Sequence, residues 1–582
     1  MISSFYLGQR RILSSMVPKT LLVITLFSLL KGTRANLCPP LGPTLPSSKT
    51  PSDSEAVREA LTKIQEGLVN RTSSLQGTAI SIGVKSVHEE HPLFDWHFTP
   101  PVADNRSTAK VDIDTIYRGG SITKLFTTLA ALQNHHIKST DPVAKYLPQL
   151  KTNAVQNEGQ LNFIPWDNIT IGDLTSHLSG LGGDIATDLA MFPGNWAALG
   201  LPLLANDTKP KCSGLGGTKP CTSEDLLTGL NNKPPVFRPH TTPVYSNIGF
   251  ALLSLVVEAA TNNTYESVLS GTILKPLGLT NTSLAVPANS EWCFIPKGEP
   301  TWGGDLGVYA SAGGIYTNTR DMLTFGTAIL TSNIGTDTGS WLKPHAFTSS
   351  RGYSVGAPWE IWTSSTLLDS GVPVSFYTKS GDLGLYTNVL VIVPDYDIVV
   401  SILTAGAEAA DTFLFPTQVI SPVMEVLIPA LEQANKESAH ATMAGTYADE
   451  ETNSTLTLSV DHGPGLSLMN YKVRGIDVLA NIPNYGLSPS RKTFNVSGRI
   501  YPINIREGDQ RSWRAVYKNH DEPEINEKLF YPEGGCQTWG LIDRKTFNYL
   551  ALDDFAFTIA PDGSAKSISP RPFGVTLMKV KQ

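Results

Sequence analysis

The sequence predicts a mixed α/β (α+β) domain built on an antiparallel sheet flanked by helices, followed by a smaller all-β unit. Three observations carry that expectation. Ile80, Ile82 and Val84 alternate as in a strand with one buried face. Residues 389–393 and 398–403 are near-continuous apolar runs joined by Pro394-Asp395-Tyr396-Asp397, the pattern of a hairpin buried on both faces. Beyond Gln433 the texture changes to short alternating runs separated by turn residues.

At 582 residues the chain is too long for one ordinary domain and calls for two or three. With 41% hydrophobic and 17% charged residues and a net charge of -7, it reads as a soluble globular protein. It lacks the basic, aromatic-interleaved stretch expected of a nucleic-acid binder or of a protein that binds anionic membranes.

The N-terminus reads as a signal peptide over 1–35. Arg10, Arg11 and Lys19 precede an apolar run over 20–30, and Thr33-Arg34-Ala35 fits a small-x-small cleavage site. The run is too short to span a bilayer comfortably, although an uncleaved signal anchor is the alternative. No other stretch is apolar enough for a transmembrane helix. Asn-x-Ser/Thr sequons at Asn70, Asn105, Asn168, Asn206, Asn262, Asn281, Asn453 and Asn495 agree with a secreted glycoprotein.

Of 5 cysteines, Cys212 and Cys221 bracket a flexible Gly-rich loop and are the expected disulfide; Cys38, Cys293 and Cys536 stay unassigned. None sits with His or Asp at metal-ligand spacing, so neither a metal nor a cofactor is expected.

Residues 36–53, rich in Pro and Ser, read as an exposed leader. A helix follows, capped by Asp53 or Ser54, with Val57, Leu61, Ile64 and Leu68 on one face. After the strand at 80–84, residues 93–98 form its return. His88-Glu89-Glu90-His91 lies between them. Its histidines are three apart in a turn ending at Pro92, whereas the zinc helix motif needs them four apart, so a solvated hairpin tip is expected.

Residues 122–133 carry apolar side chains at helical spacing without Gly or Pro. Thr170 and Asp173 form a capping box for a helix ending in Leu178-Ser179-Gly180. The Gly- and Pro-rich stretch over 183–240 reads as surface excursions. Helices are expected over 249–260, after Thr319, and from about 408 to 435. A boundary near 436 then separates a catalytic domain, 54–435, from an all-β unit, 436–582, with strands at 456–460, 466–473, 512–517 and 555–559 and a supporting role.

Three strings in order carry the chemistry: Ser121-Ile122-Thr123-Lys124, Tyr245-Ser246-Asn247 and Lys379-Ser380-Gly381. They supply a serine with a lysine one helical turn away, a phenol with an amide, and a second lysine beside a glycine. That set can activate a serine without a histidine. Ser121 opens the helix at 122–133, so its hydroxyl meets the positive end of the dipole and Lys124 shares its face. Burial and neighbouring cations would favour a neutral, basic Lys124. Tyr245 and Asn247 are expected on a loop between an extended run and a helix. Lys379 is expected on a strand, where Gly381 lets a substrate's backbone approach closely.

The chain also holds decoys. Ser340–Lys343 runs into Pro344, where no helix can continue. Tyr316-Thr317-Asn318 leads into a helix after Gly313-Gly314, and Tyr386-Thr387-Asn388 lies in a strand, which suits packing or edge residues.

With these motifs in place, the chain resembles the serine β-lactamase and penicillin-binding-protein superfamily, closest in type to class C β-lactamases and their esterase relatives. Ser-x-x-Lys, Tyr-x-Asn and a Lys-Ser-Gly in place of Lys-Thr-Gly follow in order. The segments 171–181, 245–258 and Lys275-Pro276-Leu277-Gly278-Leu279 are similar to accessory stretches of that family. The similarity covers roughly 55–430, and the C-terminal β unit resembles an extension carried by fungal secreted β-lactamase-like proteins.

The resemblance implies a β-lactamase/transpeptidase-like fold, with an antiparallel sheet flanked by helices plus an all-helical lobe. It implies Ser121 as acylated nucleophile, Lys124 and Tyr245 sharing proton transfer, and Asn247 positioning substrate. Lys379, Ser380 and Gly381 would line the substrate site. The backbone N–H groups of Ser121 and Asp382 would form the oxyanion hole. Asp382 places a carboxylate where the family has a small or apolar residue.

The expected activity is hydrolysis of an ester, lactone or amide in a small-molecule or short-peptide substrate, with no nucleic-acid partner. An acyltransferase using the same site and an inactive binding glycoprotein are the alternatives.

Overall fold

The computed structural model describes residues 38–154, 161–205, 209–213, 218–336, 338–410, 415–487, 489–490, 492–522 and 538–580. The signal segment, Asn206 and Cys536 lie outside the described residues. An eight-stranded antiparallel sheet forms the centre of the larger unit. Its strands, in chain order, are β1 (Ala79–Ser86), β2 (Phe94–Phe98), β3 (Ala346–Phe347), β4 (Tyr353–Val355), β5 (Glu360–Ser364), β6 (Val374–Leu383), β7 (Tyr386–Val393) and β8 (Ile398–Ala405). They pair in the order β2-β1-β8-β7-β6-β5-β4-β3.

The apolar hairpin explains the layering. Every residue of β7 and β8 is buried, because side chains alternate between two covered faces. Val391, Val393, Val400 and Ile402 meet helices α1 (Glu55–Thr72) and α6 (Phe415–Thr442) on one side. Leu390, Ile392 and Val399 meet α5 (Thr319–Leu330) on the other. That second core continues into a helical lobe made of α2 (Thr123–Leu132), α3 (Ile171–Thr175) and α4 (Asn247–Thr261). The site lies where lobe and sheet meet.

The C-terminal unit runs through β9 (Gly445–Asp449), β10 (Ser454–Ser459), β11 (Leu466–Val473), β12 (Ile476–Asp477), β13 (Val496–Glu507), β14 (Gln510–Asn519), β15 (Asp554–Ile559), β16 (Ala565–Pro570) and β17 (Leu577–Lys579). The order β10-β9-β17-β16-β15-β14-β13-β11-β12, with a further β10–β11 pairing, closes the sheet into a barrel and removes its open edges.

Several expectations need correcting. The leader is only partly exposed: Leu41 is open to solvent, but Leu45 is 1% exposed and belongs to the C-terminal core. Ser48 N–H donates to Asn435 Oδ1 at 2.8 Å. Ser54 precedes α1, but its hydroxyl donates to Glu437 Oε2 at 2.9 Å and does not cap its own helix. The closing helix does not stop at 435. It runs on to Thr442, because Ala434, Lys436, Glu437 and Ala439 are good helix formers. The Thr170–Asp173 capping box forms, yet α3 ends at Thr175, and His177 takes φ 60°, a left-handed conformation that stops the helix.

Cys212 and Cys221 form the disulfide, and Cys293 is a buried thiol whose pKa burial pushes up to about 12. His88 at the hairpin tip contacts Asp397 Oδ2 at 2.9 Å, and no cluster able to hold a metal ion occurs among the described residues. No helix of the described residues is long and apolar enough to cross a membrane.

Candidate active site

The three strings meet. Ser121 sits in a 3-10 turn, Gly120–Ile122, that leads into α2, so the α-helix itself begins two residues later than Ser121. Gly120 has φ +56°, and a Cβ there would lie 2.7 Å from the backbone N of Asp382. A Cβ on Gly381 would lie 2.1 Å from the carbonyl oxygen of Gly119. Two glycines therefore let the Ser121 turn press directly against β6, and the close backbone approach at Gly381 is made by the chain itself. This contact brings the backbone of Ser121 beside that of Asp382. Thr123 locks the turn, donating to the Gly120 carbonyl at 2.7 Å while accepting from Ile315 N–H at 3.1 Å.

Lys124 is wholly buried. Its Nζ lies 2.9 Å from Ser121 Oγ, 2.7 Å from Asn247 Oδ1 and 2.7 Å from the Ala312 carbonyl. Burial is the main cause that lowers its pKa; Tyr245 opposes the shift and the Lys379 cation adds to it. Asn247 is not on a loop. It is the first residue of α4, capped by Ser246, whose hydroxyl accepts from Gly249 N–H. Its Nδ2 donates to Asp184 Oδ2 at 2.9 Å, which fixes the amide so that Oδ1 faces the lysine.

The Tyr245 hydroxyl donates to Ser121 Oγ at 2.6 Å. Lys124 Nζ stands 4.9 Å and Lys379 Nζ 5.2 Å from its ring centroid. Burial raises the phenol's pKa, but the two cations outweigh it and the net shift is downward. His177 stacks on the Tyr245 ring at 4.8 Å between centroids. Its Nδ1 accepts from Ser246 N–H at 3.1 Å, and Nε2 is buried without a hydrogen-bond partner. Burial, then Lys124 and Lys379, hold its pKa well below 6.5, so the ring is neutral.

Lys379 is also fully buried and pairs with Glu360 of β5, Nζ to Oε1, at 2.5 Å. The same carboxylate accepts from the Ser380 hydroxyl at 3.1 Å and, through Oε2, from Ser380 N–H at 2.9 Å. Glu360 raises the lysine's pKa against the cost of burial. Asp382, two residues on, is exposed.

Sequence reasoning missed Glu360, Asp184 and the Ala312 carbonyl, and gave His177 no role. For Glu360 a signal existed: it is the one charged residue in Trp359-Glu360-Ile361-Trp362, a run otherwise apolar, at the start of a strand. The decoys fall elsewhere. Tyr386 is buried with its hydroxyl on the Phe294 carbonyl at 3.0 Å. Tyr316 is buried against Trp302 and Arg118, and Asn318 caps α5, accepting from Asp321 N–H at 2.8 Å. Lys343 is exposed.

A sheet backed by helices, with a helical lobe and a serine held between a buried lysine and a phenol, defines the class. The chain belongs to the beta-lactamase family, whose family model, "Beta-lactamase", matches residues 67–419. A second family model, "Beta-lactamase-like-like, C-terminal domain", matches residues 435–581.

Among individual proteins, the chain is 28% identical to a "Beta-lactamase-like protein" of Arthroderma benhamiae, over 90% of this chain and 92% of that one. It is 28% identical to "Probable hydrolase M10" of Phoma sp., over 96% and 93%. It is 27% identical to "Probable hydrolase clz13" of Cochliobolus lunatus, over 96% and 94%.

Proposed function

We propose that this beta-lactamase-like hydrolase is a secreted enzyme that cleaves an ester, lactone or amide through an acyl-Ser121 intermediate. The observation that carries the reading is the set of partners around Lys124 Nζ. An amine has four tetrahedral positions. Cε, Asn247 Oδ1 and the Ala312 carbonyl take three, the last two by accepting N–H bonds. In the neutral amine the remaining position is a lone pair aimed at Ser121 Oγ, which is the geometry of a general base.

In acylation Ser121 Oγ attacks the substrate carbonyl carbon as its proton passes to Lys124. The backbone N–H groups of Ser121 and Asp382 receive the developing oxyanion. As the tetrahedral intermediate collapses, Tyr245 gives its proton to the leaving oxygen or nitrogen, and Lys124 and Lys379 stabilise the phenolate left behind. In deacylation water attacks the acyl carbon and gives a proton to the phenolate. Lys124 returns its proton to Ser121, and the acid is released. Secretion is supported by the Cys212–Cys221 disulfide and by exposed sequon asparagines at Asn70, Asn105, Asn168, Asn262, Asn453 and Asn495; Asn281 is half-buried.

The test is a fluorophosphonate probe followed by peptide mass spectrometry. The adduct is expected on Ser121 and absent in Ser121→Ala. A correctly folded wild-type protein that takes no label, and turns over no p-nitrophenyl ester, would reject the reading.

A further inference from the structure

Three hydrogen-bond donors beside the nucleophile converge on one point: Lys379 Nζ, the Ser380 hydroxyl and the Ser380 backbone N–H. A buried ammonium with two such companions is a receptor for a carboxylate, since each donor satisfies an acceptor lone pair of that group. The point is already filled. The Glu360 side chain reaches across from β5 and takes all three bonds, through Oε1 at 2.5 Å and 3.1 Å and through Oε2 at 2.9 Å.

An anionic substrate group entering there would have to expel Glu360 from its half-buried position and leave that carboxylate without its cation. Removing one partner from a buried pair is costly because the other stays charged and poorly solvated. The charges around the pair point the same way. Lys379 and Glu360 cancel, Lys124 is held towards neutrality, and Asp184 and Asp382 remain as acids near the site.

We propose that Glu360 is a built-in occupant of the carboxylate position beside Ser121, and that it restricts the enzyme to acyl substrates carrying no anionic group at that end. Glu360 acts on specificity through Lys379 and Ser380. It rests on the proposed hydrolase reading for its catalytic consequence, but not for the binding it describes.

The experiment compares two esters of equal acyl length, p-nitrophenyl valerate and p-nitrophenyl hydrogen glutarate, on wild type, Glu360→Gln and Glu360→Ala. Wild type is expected to favour the neutral ester in kcat/KM by about 10-fold or more. Glu360→Ala is expected to bring that ratio down by about 10-fold, chiefly by raising activity on the anionic ester. Glu360→Gln keeps the shape of the side chain and is expected to move the ratio in the same direction by less.

A second readout needs no turnover: glutarate should raise the melting temperature of Glu360→Ala and leave wild type unchanged. Equal use of both esters by wild type, or an unmoved ratio in a folded Glu360→Ala, overturns the proposal. So does a glutarate response that is the same in wild type and variant. Absence of ester cleavage and of Ser121 labelling would instead reject the hydrolase reading, and the glutarate shift would then decide the Glu360 proposal alone.

Discussion

At the scale of single residues, the site works by keeping one lysine away from water and pairing the other. Lys124 and Lys379 are both fully buried, yet their pKa values move in opposite directions, because Glu360 forms a direct ion pair with Lys379 and only a weaker, distant attraction to Lys124. Activity therefore should rise with pH as Lys124 loses its proton, at a pH below the ordinary 10.5 of a lysine. In Lys379→Met the cation that helps lower both Lys124 and Tyr245 is gone, so the rising limb of kcat/KM should move to higher pH. A pH–rate profile of both proteins checks the direction; an unmoved or acid-shifted limb would count against it.

His177 makes a prediction of stability. Its folded pKa lies well below 6.5, so below that pH the unfolded chain binds a proton that the folded chain refuses, and stability falls. Between pH 7.5 and 5 the loss from this one group grows steadily towards a ceiling of about 2 kcal/mol, set by the unfolded imidazole alone. Melting curves of wild type and His177→Phe should converge or cross as the pH is lowered, since the variant lacks this term.

At the scale of elements, the decisive contact is the one between the Ser121 turn and β6. Sequence reasoning placed Ser121 at a helix start and Lys379 on a strand, and both hold. It could not show that Gly119-Gly120 and Gly381 pack backbone to backbone, because strings some 260 residues apart carry no record of their distance. In Gly381→Ala the new Cβ would sit 2.1 Å from the Gly119 carbonyl, so the turn must retreat. The expected cost is about 1–3 kcal/mol in stability. Fluorophosphonate labelling should also slow by about 10-fold, because a small displacement of a positioned group costs rate steeply. Paired melting and labelling assays read both.

Glu360 went unseen for a similar reason. Its role depends on β5 lying next to β6, in a register that pairs Glu360 with Thr378. From that register position at the start of β5 its side chain reaches Lys379 and Ser380 of β6, and strand register is a tertiary fact.

On the scale of the whole molecule, the N-terminal segment and α6 tie the two units together. Leu45 enters the barrel core, Ser48 and Ser54 bond to α6, and α6 itself crosses the position where composition suggested a boundary. Leu45→Ala should cost about 2–5 kcal/mol through the cavity it leaves. Calorimetry should show the loss in the transition that includes the barrel, while folded protein still labels at Ser121. A variant with unchanged melting would mean that the segment adds little to the barrel core.

The sequence by itself determined which reactive residue types the chain offers and much of the local structure. The three strings carry their residue types wherever they sit, and the alternation of β1, the doubly apolar β7–β8 hairpin and the short strands of the barrel follow from which faces must be dry. It also singled out, among the repeated strings, the copies that the fold brings together, since a proline, a strand or a helix start is written locally. Tertiary structure alone decided the partners: Asp184 on Asn247, the Ala312 carbonyl on Lys124, Glu360 on Lys379, and Leu45 in the barrel. Each is a contact between segments far apart in the chain. Its energy depends on distance and burial, which arise only once the sheet and the helical lobe have closed on one another.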